Sequence, residues 1–199
     1  MGRQVATKPE GGARERILST AYDLFSQRGV RGVGVDEVIE RAGVAKATLY
    51  RHFGSKDELV LGFLEERERR WTHDRVESGA LERGVTAEEQ LLAIFDVFDD
   101  WFREEWASRD QFEGCSFVNV LLEMGSKHPA GAASVKHLEN IRTIVGGLAE
   151  QAGLRDPANF ARSWHILMKG SIVQAAEGDV DAARRAKAMA RLLIEAHRG

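Results

Sequence analysis

Residues 35–59 read Val35-Asp36-Glu37-Val38-Ile39-Glu40-Arg41-Ala42-Gly43-Val44-Ala45-Lys46-Ala47-Thr48-Leu49-Tyr50-Arg51-His52-Phe53-Gly54-Ser55-Lys56-Asp57-Glu58-Leu59. Val38 and Ile39 mark the inward side of a short helix over about 35–42, and Gly43 ends it. After Val44-Ala45 a second short helix is expected over about 46–52, with Leu49 inward and Phe53 closing it. Two short helices around a tight glycine turn have helix-turn-helix anatomy, which places the second helix in the DNA major groove. The outward residues of that helix suit the task. Lys46 and Arg51 are cationic donors, Thr48 and Tyr50 carry hydroxyls, and His52 is polar and partly cationic. Ala47 is small enough for close approach or for contact with a thymine methyl.

Working outward, Ser55-Lys56-Asp57-Glu58 is a capping-box pattern that opens a long helix over about 56–78. Its middle, Glu65 to Arg70, pairs Glu with Arg at i,i+4 and reads as solvated. Upstream, residues 1–12 are polar, end in Gly11-Gly12 and read as a flexible arm. Ile17, Leu18, Ala21, Leu24 and Phe25 then form one apolar helical face up to Gly29. Downstream, Thr86 with Glu89 is a second capping box, opening a helix to about 107. Leu91, Ile94, Phe95, Phe98, Trp101, Phe102 and Trp106 supply its apolar side. Further helices are expected over about 110–125, 131–152 and 157–177. Asp179 or Asp181 caps a last helix to about 197. The sum is an all-α chain of about nine helices with no strand. The natural divisions are the arm over 1–12, a domain over 13–55 and a domain over 56–199.

Composition supports a globular protein. The 199 residues are 43% hydrophobic and 30% charged, with three prolines to interrupt helices. A single cysteine, Cys115, excludes a disulfide framework within the chain and fits a reducing cytoplasm. No signal core and no apolar run of membrane-spanning length is present. The net charge of −3 does not advertise nucleic acid. Its distribution is more permissive: residues 1–60 carry ten Lys/Arg against eight Asp/Glu, and the rest 18 against 23.

The stretch from Ala42 to Leu59 resembles the TetR family of bacterial transcriptional regulators. The spacing, the Tyr50-x-x-Phe53 pair and the tail Ser55-Lys56-Asp57-Glu58-Leu59 carry the resemblance together, and Ala21, Phe25 and Gly29 match upstream. It implies nine helices, a homodimer, an N-terminal helix-turn-helix domain of three helices that binds double-stranded DNA, and a C-terminal domain for ligand binding and dimerisation. Carried over by position, Lys46, Ala47, Thr48 and Tyr50 face DNA. Tyr50 and Lys56 bond phosphates, while Lys46, Ala47 and Thr48 are candidate base readers. Arg51 and His52 are further candidates. Lys56 at a helix N-terminus suits an anion on electrostatic grounds too. Two positions depart from the family pattern. Gly34 and Ala45 stand where the family has hydroxyl residues, so both short helices lack a side-chain cap.

In the C-terminal domain, Trp101, Phe102, Trp164 and Met168 are candidate liners of a cavity for an unknown small-molecule effector, as well as candidate core. Cys115, Asn119 and Glu123 fall at i, i+4 and i+8, a single helix stripe. A Gly-Cys followed by such an Asn and Glu is similar to a pattern in one branch of the family, where it borders the ligand cavity. On the residues alone, the stripe lines a pocket or lies on a solvated edge. Cys115 also admits a redox- or electrophile-sensing reading, against the commoner inert thiol. In the last two helices Trp164, Leu167, Met168, Ile172 and Ala175 form one face, and Ala182, Ala186, Met189 and Leu193 another. These match the family's dimerising pair, or serve the chain's own core.

Catalytic constellations are lacking. Gly29-x-x-Gly32-x-Gly34 follows no strand and has no P-loop Lys-Ser or Lys-Thr. The histidines at 52, 73, 128, 137, 165 and 197 show no metal-ligand spacing, and no Gly-x-Ser-x-Gly elbow occurs. No enzyme, metal or cofactor is expected. The resemblance then implies a cytoplasmic, ligand-responsive homodimer that represses from a palindromic operator. The remaining alternative is a helical protein-interaction module without DNA binding, which salt would distinguish, because phosphate contacts weaken steeply as salt rises.

Overall fold

A computed structural model describes residues 12–104 and 114–198 in full, and 105–108 as helical backbone. Residues 1–11 of the expected arm, the side chain of Trp106 and the expected helix start at 110 lie outside the described residues. Among those described, nine helices and no strand are present. Helix α1, Ala13–Arg28, buries Ile17, Ala21, Leu24 and Phe25 on one face and stops at Gly29. The connecting loop folds back with Val30 and Val33 buried. Gly32 is required there, since a Cβ would sit 2.5 Å from the Arg28 carbonyl oxygen. Helix α2, Val35–Ala42, ends at Gly43, whose left-handed φ of 62° suits glycine. The Gly43 N–H bonds Glu40 O, and the Val44 N–H bonds Ile39 O. Helix α3, Lys46–His52, follows with Leu49 fully buried. Neither Gly34 nor Ala45 supplies a side-chain cap.

Helix α4 covers 56–83 in three consecutive stretches: α-helical Lys56–Arg67, π-helical Glu68–Glu77 and α-helical Ser78–Arg83. Its start is held as the capping box requires, with the Glu58 N–H donating to Ser55 Oγ at 3.1 Å. Glu58 Oε2 reaches back to the Gly54 N–H at 2.8 Å. Glu66 pairs with Arg70 at i,i+4, as the charge pattern implied, and also with Arg69 at i,i+3. The expectation that the whole middle is solvated needs correction. Glu68 turns inward, accepts from Asn140 Nδ2 at 2.7 Å and lies 2.7 Å from His137 Nδ1.

The remaining helices are α5, Ala87–Ser108; α6, Ser116–Met124; α7, Pro129–Gln151; α8, Pro157–Ala176; and α9, Ala182–His197. The chain divides into two compact units, Met1–Phe63 and Leu64–Gly199. This division falls within α4, whereas the sequence placed it before α4. Burial explains the difference: Leu59, Val60 and Phe63 are all sealed, and Phe63 meets Tyr22 and Phe25 edge-on at 5.5 and 5.6 Å. In the second unit α8 packs on α7 and α9, α5 packs on α9, α7 and the end of α4, and α6 packs on α7. Its core is rich in aromatic side chains from α5 and α8.

Most of the two faces expected to dimerise turns inward, Met189 being the exception. Trp164, Met168, Ile172, Ala175, Ala182 and Ala186 are buried within this chain's own core, and Leu167 and Leu193 pack against it. The apolar residues left exposed are Ile166 and Val173 on α8, and Met189 and Leu192 on α9.

Candidate functional site

Helix α3 is short, and one buried side chain orients it. At about 100° per residue, Ala47 and Arg51 fall opposite Leu49. Lys46 and Tyr50 lie along one flank, and Thr48 and His52 along the other. Burial agrees: Lys46, Ala47, Tyr50, Arg51 and His52 are exposed, Thr48 is half-buried and Leu49 is sealed. The seven-residue helix therefore displays cations, hydroxyls and a small central residue on one surface. Lys46 Nζ donates to Asp36 Oδ1 of α2 at 3.1 Å. That hydrogen bond and the Asp36 charge raise the Lys46 pKa. Both side chains are solvated, so the pair is weak and phosphate oxygens would compete for the ammonium. Lys56 is half-buried in the first turn of α4.

The second unit encloses a cavity of about 310 Å³. It is lined by the π-helical part of α4, by α5, α7 and α8, and by Cys115 and Phe117 at the start of α6. Trp71, Thr72, Val76, Glu77 and Leu81 all reach it from α4. In an α-helix, residues five apart point about 140° away from one another. In a π-helix the i→i+5 hydrogen bonds stack them. The π-helical segment is therefore what brings Trp71 together with Val76, and Thr72 with Glu77. Ile94, Phe98, Ile141, Ile144, Val145, Leu148, Met168 and Ile172 make most of the remaining wall apolar.

Two polar groups of the wall, His165 and Lys169, lie on α8; Thr72 and Glu77 come from α4, Gln90 from α5, and Thr143 and Gln151 from α7. His165 Nδ1 lies 3.3 Å from Arg142 Nη1. A guanidinium only donates, so Nδ1 accepts and Nε2 carries the proton of the neutral ring. Burial, then the Lys169 and Arg142 charges, push the His165 pKa down to about 3, so the ring stays neutral at physiological pH. Burial, then the Arg142 charge, lower the pKa of Lys169, against a smaller raising effect of the Cys115 thiol.

Of the expected liners, Cys115 and Met168 reach this cavity. Cys115 is half-buried, a free thiol at the N-cap of α6. Asn119 is exposed and lines an adjoining open cleft of about 180 Å³, whose wall also includes Cys115, Lys169 and Ile172. Glu123 lines neither. Trp101, Phe102 and Trp164 stand behind the wall rather than in it. Trp101 packs on Trp71 with ring centroids 4.3 Å apart and on Phe102 at 5.2 Å, while Trp164 meets Phe95 and Phe160, each at 5.2 Å. The sequence reading missed Trp71, Thr72, Phe98, His165 and Lys169. A signal existed for two of them: His165, Met168, Lys169 and Ile172 fall at i, i+3, i+4 and i+7. Polar residues inside an apolar helix stripe mark a cavity better than large aromatics do.

An exposed α3 behind a glycine turn defines a helix-turn-helix DNA-binding regulator. Comparison with known proteins agrees. Residues 17–62 match the family model described as bacterial regulatory proteins, tetR family. The chain is 34% identical over 100 residues to the transcriptional activator FasR of Mycolicibacterium smegmatis, covering 49% of this chain and 43% of that one. It is 32% identical over 97 residues to the transcriptional repressor KstR2 of Rhodococcus jostii, covering 47% of each. Each match spans less than half of the relative's length. A crystal structure of a TetR-family regulator from Streptomyces coelicolor superposes with a TM-score of 0.82 at 28% identity, over 94% of this chain and 96% of that one. Over residues 17–62 the sequence, and over 94% of its length the fold, is similar to that of TetR-family transcriptional regulators, a class that binds DNA through a helix-turn-helix unit.

Proposed function

We propose that this regulator binds a palindromic operator as a homodimer, acts as a repressor in the cytoplasm, and is released by a small molecule held in the cavity of the second unit. The observation that carries the reading is that cavity: about 310 Å³ and mostly apolar, with a few polar groups contributed by the surrounding helices. Lys46, Ala47 and Thr48 read base edges, and Tyr50 and Lys56 hold phosphates. Arg51 and His52 add contacts from the same surface. Cys115 and Met168 touch the ligand, and Asn119 belongs to the adjoining cleft. Repression is the simplest output, since occupancy of the operator by itself blocks access and needs no further contact surface.

Dimerisation is assigned to the exposed stripes of the last two helices. On α8, Ile166, Gly170 and Val173 are spaced i, i+4, i+7, and on α9, Met189, Leu192 and Ala196 are spaced i, i+3, i+7. All six are exposed. Two copies meeting through these stripes would form a four-helix contact with two-fold symmetry, matching a palindrome with half-sites about 34–36 Å apart or a multiple. The mechanism is a population shift: ligand favours a conformer whose recognition helices no longer match that spacing. Helix α4 carries Lys56 in its first turn and Trp71, Thr72 and Val76 on the cavity, so a ligand that repacks the π-helical segment acts on the same helix.

Selection of random duplex DNA on the purified protein at near-physiological salt tests the reading. Recovery of a palindromic motif is expected. No enrichment from folded, ligand-free protein would favour the protein-interaction reading instead.

A further inference from the structure

Lys169 is unusual among the groups around the cavity. It is half-buried on the wall and makes no hydrogen bond or ion pair among the described residues. Most other cations of the second unit are paired. Arg142 is engaged by Glu139, and Lys187 by Asp96. Glu77 is the carboxylate on the cavity wall, and it lies 2.7 Å from Nδ1 of the exposed His73. Among the described residues no carboxylate pairs with Lys169, and the acidic group that acts on it is the Cys115 thiol.

The neighbouring polar groups are donors too. His165 stands at i−4 to Lys169, so the two are adjacent on one face of α8. With Nδ1 occupied by Arg142, His165 offers Nε2–H. Thr72 is 3% exposed and lines the cavity, and its buried Oγ1 has no hydrogen-bond partner. A ligand meeting these groups must bring acceptors and, at Lys169, negative charge. An ammonium head would meet the like charge of Lys169, and the Glu77 carboxylate on the wall is already paired with His73. A hydroxyl head would satisfy one donor and leave the ammonium uncompensated, and charge-assisted bonds are the stronger kind.

We propose that the cavity takes a small apolar molecule ending in a carboxylate, which pairs with Lys169 Nζ and accepts from His165 Nε2–H, with the Thr72 hydroxyl as a further donor. The rings of Trp71, Phe98 and Phe117 receive the apolar body. This inference rests on the reading of the cavity as an effector site.

The test uses the full chain and two dyes with the same ring system and opposite polarity of head. 1-Anilinonaphthalene-8-sulfonate is anionic, and N-phenyl-1-naphthylamine is neutral. The anionic dye is expected to bind roughly ten-fold tighter or better. Lys169→Met should erase that preference while leaving the neutral dye bound, and Lys169→Arg should keep it. Decanoate should displace the anionic dye at concentrations roughly ten-fold below those of 1-decanol. Equal binding of the two dyes, or an unchanged ratio in Lys169→Met, overturns the carboxylate inference and leaves the effector site standing. No binding of either dye to folded protein overturns both.

Discussion

Lys46 and Lys56 carry the same charge, and they are assigned different work. Lys46 stands on the exposed flank of α3 with Tyr50 and is proposed to read a base edge, whereas Lys56 sits in the first turn of α4 and is proposed to hold a phosphate. Lys56→Ala is expected to weaken binding to all duplexes alike and to lower the salt slope by about one. Lys46→Ala should instead relax preference at one operator position, by about 1–3 kcal/mol. Competition binding on a set of single-base operator variants separates the two, and equal loss on every variant would remove Lys46 from base reading. His165 makes a pH prediction. Its folded pKa of about 3 is below its ordinary value of 6.5. The unfolded chain therefore binds a proton that the folded chain refuses as pH falls through that window. Its contribution is fully present above pH 6.5 and is lost below it, at up to about 1.4 kcal/mol per pH unit. Urea unfolding at pH 7.5 and pH 5 should show a smaller acid loss in His165→Gln than in the unaltered protein.

The helices themselves were legible to different depths. Gly43 as the end of α2, Leu49 as the anchor of α3, and the Ser55/Glu58 capping box needed only local spacing, because short-range hydrogen bonds decide them. The same local logic predicts that Ala45→Ser stabilises the protein. Ala45 occupies the N-cap of α3 in extended conformation without a side-chain cap. A serine there gains about 1 kcal/mol, read as a higher urea midpoint with an unchanged slope. The π-helical stretch of α4 was not legible. Its charge pattern, with Glu and Arg at i,i+4, describes an ordinary solvated helix. What selects the wider turn lies elsewhere in the fold. Glu68 is drawn to His137 and Asn140 of α7, and Trp71 packs on Trp101 of α5. Those contacts are formed between elements, so no window along the chain contains them.

At the scale of the molecule, the proposed dimer rests on two exposed stripes with little polar content. Val173→Asp combined with Met189→Asp places charge at the contact and should yield monomers by sedimentation analysis. The folded monomer should retain its helical content while binding a palindromic operator at least ten-fold more weakly than the dimer. A double variant that stays dimeric would move the interface away from α8 and α9. The sequence pointed to these helices; of the faces it grouped, Met189 stays exposed while most of the others turn into the chain's own core. Trp164, Met168 and Ala186 look equally apolar whether they meet a partner chain or their own core. Only the packing of α8 against α7 and α9 decides which.

By itself, the sequence determined the helical class, the helix-turn-helix unit, the outward side chains of α3 and the uncapped starts of α2 and α3. Each of these follows from periodicity, turn chemistry or capping, interactions that close within a few residues. Tertiary structure alone decided where the first unit ends, because Phe63 chooses its partners on α1. It also decided which side chains enclose the cavity. Cavity walls are assembled from helices far apart in the chain, and an aromatic residue has the same local pattern in front of the wall as behind it. That is why Trp71 replaced Trp101 at the cavity, and why Lys169, one polar residue in an apolar stripe, became visible as the group to explain once the stripe was seen to face empty space.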